Sequence, residues 1–182
     1  MTHLPTLALA LPLLLLPAAT STPSFVAVPG NLAPAVALVG PPWISIEYPV
    51  NPYDAATRGA YLVVHAFHHG TPVGLPVSGT AEGIVNGARR SVPLTFAATS
   101  RAGVYTLTRQ WPNEGTWTLL VAVAQGPEDK VTAVVDLTAA GEVGSVRVPT
   151  RKQDGYTLPA AVAMATIDAS LRERAATQSA AR

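Results

Sequence analysis

Three histidines stand close together in this chain, His65, His68 and His69, in the run His-Ala-Phe-His-His-Gly. Imidazole is a common metal ligand, so the first chemistry to weigh is metal binding. The spacing resists it. In a regular strand, at roughly 3.3 Å per residue, His65 and His69 share a face but stand about 13 Å apart, and His68 points to the opposite face. A site needs the strand to bend at its end, or a ligand from another segment such as Asp54 or Glu82. The competing reading is a polar strand end running into a turn, with His65 half-buried and hydrogen-bonded.

Aromatic residues are the second set. Trp111 and Trp117 flank the turn Pro112–Gly115, with Tyr105 just before it. Tyr105 and Trp117 are expected in the core. An exposed Trp111 would offer a flat face for a sugar or a partner surface. The third set is Met164, Ile167 and Leu171, a narrow apolar stripe on a C-terminal helix that could dock on a partner or a second copy. The competing reading is a helix that docks weakly on its own domain or frays. Enzyme signatures are missing: there is no Gly-x-Ser-x-Gly elbow, His-Glu-x-x-His, Walker loop or dinucleotide fingerprint. No catalytic residue and no cofactor is assigned. Arg89-Arg90 reads as a basic surface pair, too small for nucleic-acid binding.

The elements that must position these residues are strands. Trp43–Tyr48, Tyr61–His68, Val77–Ile84, Arg89–Phe96, Lys130–Leu137 and Glu142–Val148 alternate or carry β-forming residues between Gly, Pro and Asn breaks. Asn86-Gly87 is a strong two-residue hairpin signal. Pro93 places Arg89–Phe96 at a sheet edge, and Gly79 and Gly83 suggest a bulge or close backbone approach. Gly103–Ala124 reads as a hairpin across Pro112–Gly115. Its second strand puts Trp117, Leu119, Val121 and Val123 in the core. The opposite face, Thr116, Thr118, Leu120 and Ala122, is only partly polar and leaves room for a cover. The sum is an all-β, immunoglobulin-like antiparallel sandwich of seven or eight strands. Pro159–Ala176 is Ala-rich and reads as a helix with Pro159 in its first turn and Arg172 and Arg174 suiting its C-terminal end.

Residues 1–21 read as a signal peptide, with an apolar run Leu7–Leu16 and small residues after it, though the Met1-Thr2-His3 start lacks Lys and Arg. Residues 22–42 form a Pro- and Ala-rich linker, 43–149 the sandwich, and 150–182 a C-terminal linker, helix and tail. The run is short of the ~20 residues of a membrane span. After cleavage the product is expected to be extracytoplasmic, periplasmic or secreted. The chain has 182 residues, 13% charged, with net charge +1, so no strong pull on nucleic acid follows. It has no cysteine, which excludes disulfides and thiol chemistry.

Gly103-Val-Tyr105 followed by Trp111-Pro-x-x-Gly115-x-Trp117-x-Leu119 resembles the YtkA-like and related immunoglobulin-like domains of bacterial exported proteins. The resemblance covers about Trp43–Leu137 and is specific at that hairpin motif. It implies the fold and an accessory role in the bacterial envelope, in some cases beside copper or heavy-metal transport systems, and no catalytic residue. The first expectation is a non-enzymatic module with a structural or protein-interaction role and an envelope protein as partner. The alternatives are a periplasmic copper-type metal-binding accessory protein using His65, His68 and His69, or a carbohydrate-binding module using Trp111.

Overall fold

A computed structural model describes residues 40–180. The signal peptide and nearly all of the linker expected before Trp43 lie outside the described residues, as do the last two residues of the tail.

Strand alternation sets the architecture. β1 (Trp43–Glu47), β2 (Leu62–His68), β3 (Thr71–Pro72), β6 (Ala97–Ala98) and β7 (Val104–Leu107) make one antiparallel sheet, in the order β1-β2-β7-β6 with β3 also on β2. β4 (Val77–Val85), β5 (Ala88–Leu94), β8 (Thr116–Ala124), β9 (Lys130–Leu137) and β10 (Val143–Arg147) make the second, in the order β10-β9-β8-β4-β5. β11 (Thr150–Gln153) and β12 (Tyr156–Pro159) form a separate hairpin, and α1 (Met164–Ala180) follows. Every pairing is antiparallel.

One core joins the two sheets. Ile44, Leu62, Val64 and Leu107 of the first meet Trp117, Leu119, Val121, Val123, Val131 and Val135 of the second, all buried. The period-2 reading of β8 is thereby correct for all four core residues. Each such aliphatic side chain contributes ~1.5–3 kcal/mol on burial. With a small charged fraction and no disulfide, the apolar core is the main stabilising feature of the described domain.

Four sequence expectations are corrected. The twelve strands among the described residues exceed seven or eight, because β3 and β6 are two-residue pairings and the expected C-terminal linker holds β11 and β12. Gly103–Ala124 is not a hairpin. β7 pairs with β2 and β6, whereas β8 pairs with β4 and β9 in the other sheet. The chain crosses between sheets over residues 108–115, and the Arg109 side chain pins the crossing by donating to the carbonyls of Trp111 (3.4 Å) and Pro112 (3.0 Å). Pro159 does not start the helix; it pairs with Thr150 at the end of the β11–β12 hairpin. The helix begins five residues later and runs to Ala180, so Arg172 and Arg174 lie in its body rather than at its end. No helix among the described residues is long and apolar enough to cross a membrane.

Gly83 shows why one β4 glycine is needed. It pairs with Trp117, and a Cβ there would stand 2.6 Å from Cδ2 of that indole. The register with β8 runs unbroken from Val77 to Ile84, so the glycine serves close approach and not a bulge.

Candidate functional site

The histidines do not converge. His65 lies in β2 and its Nε2 meets Glu47 Oε2 at 2.9 Å, while its ring stacks on Phe67 with centroids 6.2 Å apart. The Glu47 carboxyl is held below its ordinary range by the Asn51 backbone N–H first and by His65 second. His68 is buried, its Nε2 is 3.3 Å from the Gly40 carbonyl, and its ring meets that of His69 edge-on at 4.3 Å. Alternation puts His65 and His68 on opposite faces of β2, and His69 lies past the strand end at a φ of 48°. Asp54 is 2.5 Å from Arg101, and Glu82 lies in the other sheet. No group of three or more His, Asp or Glu among the described residues is placed to hold a metal ion. The structure does not bring the three histidines together: His65 contacts Glu47, and His68 and His69 form a separate two-ring contact.

Trp111 is buried, at 4% exposure, and offers no platform. Its ring takes Tyr61 edge-on at 5.0 Å and carries the Arg109 guanidinium at 5.5 Å. It fills the corner where the chain changes sheets, so its flat faces are spent on packing. Tyr61 donates to the Gly141 carbonyl at 2.8 Å, and burial, with Tyr48 adding to it, pushes its phenol up to about 12.

The helical stripe is likewise consumed. Ile167 and Leu171 are buried against Val134, with Ile84, Leu120 and Val162 around them, while Met164 stays exposed. This is the cover that the half-apolar outer face of β8 calls for. Polar contacts complete the docking. Arg174 donates to the carbonyls of Trp117 (3.2 Å) and Leu137 (3.1 Å), to Asp136 Oδ1 (3.2 Å) and to Thr118 Oγ1. Asp136 also pairs with Arg147. Burial alone would raise the Asp136 carboxyl, but the bonds from Thr118 and Arg147 and the charge of Arg174 outweigh it and hold it below its ordinary value. Gln178 accepts from Thr116 at 2.8 Å.

Arg89 and Arg90 part company, as neighbours in a strand must. Arg89 faces the helix side and pairs with Glu82 Oε2 (2.7 Å) and Asp168 Oδ1 (2.8 Å). Glu82 is buried, which would raise its carboxyl, yet bonds from Thr80, Ser91 and Arg89 hold it low. Arg90 pairs with Gly83, on the side where Trp117 lies. Its guanidinium enters no ion pair or hydrogen bond among the described residues, and neither does the Glu114 carboxylate. Both line a cleft of about 460 Å³ whose accessible apolar residues are half-buried Val92 and exposed Pro112, with buried Val85 and Trp117 behind them. The expected basic surface pair is thus two separate features, and strand alternation beside the Asn86-Gly87 turn is the sequence signal that separates its members.

The cleft opens beside a free strand edge. Asn86 (φ 50°) and Gly87 (φ 77°) close a two-residue turn of the primed type, so Val85 and Ala88 form a hydrogen-bonded pair. Counting outward, Arg90, Val92 and Leu94 bond to β4, while Arg89, Ser91 and Pro93 turn their backbone groups to the free edge. Pro93 has no N–H to present there, as the sequence reading of an edge strand requires. No protein-family model, curated protein or solved structure matches the chain.

Proposed function

We propose that this chain is an exported, non-enzymatic β-sandwich of immunoglobulin-like class with a structural or protein-interaction role in the bacterial cell envelope. Two antiparallel sheets around one core support the sandwich reading. The Gly103-x-Tyr105 and Trp111-to-Leu119 residues support the YtkA-like resemblance, and residues 1–21 support export. One observation carries the interaction role. Buried Glu82 and half-buried Asp136 and Arg174 are occupied in structural pairs, while the β5 edge and its adjoining cleft stay open.

The test is made in a bacterial host. The full chain is expressed with a photo-crosslinking amino acid at Ser91, or at exposed Tyr53 as a distant control, and cells are fractionated before irradiation. Export predicts a shortened N-terminus in the extracytoplasmic fraction, and an interaction role predicts a discrete adduct from Ser91. Retention of an uncut chain in the cytoplasm overturns export. The absence of any adduct above the unirradiated background at either position overturns the interaction role.

A further inference from the structure

The cleft beside β5 combines three features rarely left idle together: an apolar floor, an unpaired cation and a strand edge. From these we infer that it receives the free C-terminus of an extended partner segment, with an apolar last side chain over Val92 and Pro112 and the terminal carboxylate on Arg90. This rests on the interaction reading above and names its site and ligand class.

Charge selects the occupant. A planar guanidinium with no partner matches a carboxylate in a two-pronged contact. A cleft of about 460 Å³ has room for a large side chain and the backbone around it. Glu114 on the same rim repels a second anion, so the residues before the terminus are neutral or basic. The edge limits the length. Backbone groups of Arg89 and Ser91 are free to pair with an added strand, and Pro93 stops the ladder. A short terminus fits that edge, and a long added strand does not.

Three other candidates carry less. The groove lined by Leu120, Ala122 and Val162 is an uncovered sheet face with nothing to select its occupant. The His68–His69 pair has no third ligand among the described residues. The recess at Gln178 and Glu114 holds no unpaired cation to choose a ligand.

The test is a titration of the isotope-labelled full chain with N-acetylated tetrapeptides ending in Leu, Val or Phe after a Lys, each as free acid and as C-terminal amide. Free acids are expected to shift the amide signals of Ser91 and Val92 and the indole N–H of Trp117. The amides should bind about tenfold more weakly. Arg90→Gln should erase the acid–amide difference, and Glu114→Gln should admit a peptide with Asp in place of Lys. Arg90 is exposed, and an unchanged melting temperature of Arg90→Gln confirms that its effect is local. Equal binding of acid and amide, binding indifferent to Arg90→Gln, or no shift with any of the free acids overturns the inference. An adduct at Ser91 in cells, together with such a failure, would leave the interaction role standing and remove only the C-terminus as its ligand.

Discussion

Replacing Arg174 by Ala tests how the helix is held. The guanidinium reaches two sheet carbonyls, Thr118 and Asp136 from a single position on α1. A hydrogen bond to a charged group is worth ~1.5–3 kcal/mol in mutational series. The four contacts do not add, because they share one donor group, the side chain is 25% exposed, and Asp136 keeps Arg147. Stripping one partner from a fully buried pair costs about 3–5 kcal/mol, which sets the ceiling. We expect ~2–3 kcal/mol, and a melting temperature lower by roughly 5–10 °C for a domain of this size. Urea titration of the full chain followed by circular dichroism gives the free energy. Arg172→Ala is the control, since Arg172 is exposed on the same helix, and it should stay within about 0.5 kcal/mol of the parent. Arg174→Lys keeps the charge but loses the fork, and should fall between the two. If Arg174→Ala is no worse than Arg172→Ala, the Arg174 clamp contributes nothing, and Ile167 and Leu171 hold the helix with the Arg89–Asp168 and Thr116–Gln178 contacts.

Other outcomes follow from single contacts. The Asp136 carboxyl is depressed in the folded chain, so its contribution is complete above its unfolded value of about 3.9 and is lost as pH falls through the lower folded value. Unfolding free energy measured at stepped pH should drop below about pH 4, and Asp136→Asn should flatten that slope. Tyr61→Phe should cost about 1 kcal/mol through loss of the bond to the Gly141 carbonyl. The raised Tyr61 phenol favours the folded state fully below about pH 10, and this is lost as pH rises towards about 12. Ultraviolet titration of the variant should lack the latest-ionising tyrosine. Gly83→Ala should destabilise by ~1–3 kcal/mol through overpacking against Trp117, with a shift in tryptophan emission; a neutral result would mean that β4 and β8 can part at that pair.

Local signals in the sequence were reliable where a side chain and its backbone answered to the same element. The Asn86-Gly87 turn, the edge position of β5 and the inward set Trp117, Leu119, Val121 and Val123 all follow from period 2 and turn chemistry, and the structure has each. The same logic would have found β11–β12. Asp154-Gly155 is another two-residue turn, with φ of 50° and 81°. Its first flank, Thr150–Gln153, is polar and exposed throughout, and in the second only Leu158 and Pro159 are half-buried, so no hydrophobic alternation drew attention to it.

Partner choice was where the sequence was silent, and every candidate site depended on it. A run such as Gly103–Ala124 has the same alternation whether its strands pair with each other or with opposite sheets, because period 2 reports faces and not neighbours. Once β7 joins β2 and β8 joins β4, residue 111 falls at the crossing and its indole goes inward, which removes the platform that a hairpin turn would have exposed. The helix obeys the same constraint. Ile167 and Leu171 looked available for a partner only while the outer face of β8 had no cover. Arg90 gained meaning in the opposite direction. On a flat surface it would be one of a solvated pair. On the edge strand, with Arg89 committed to Glu82 and Asp168, it is a cation left at an open cleft and a free strand edge, and that placement makes a carboxylate the ligand to try first.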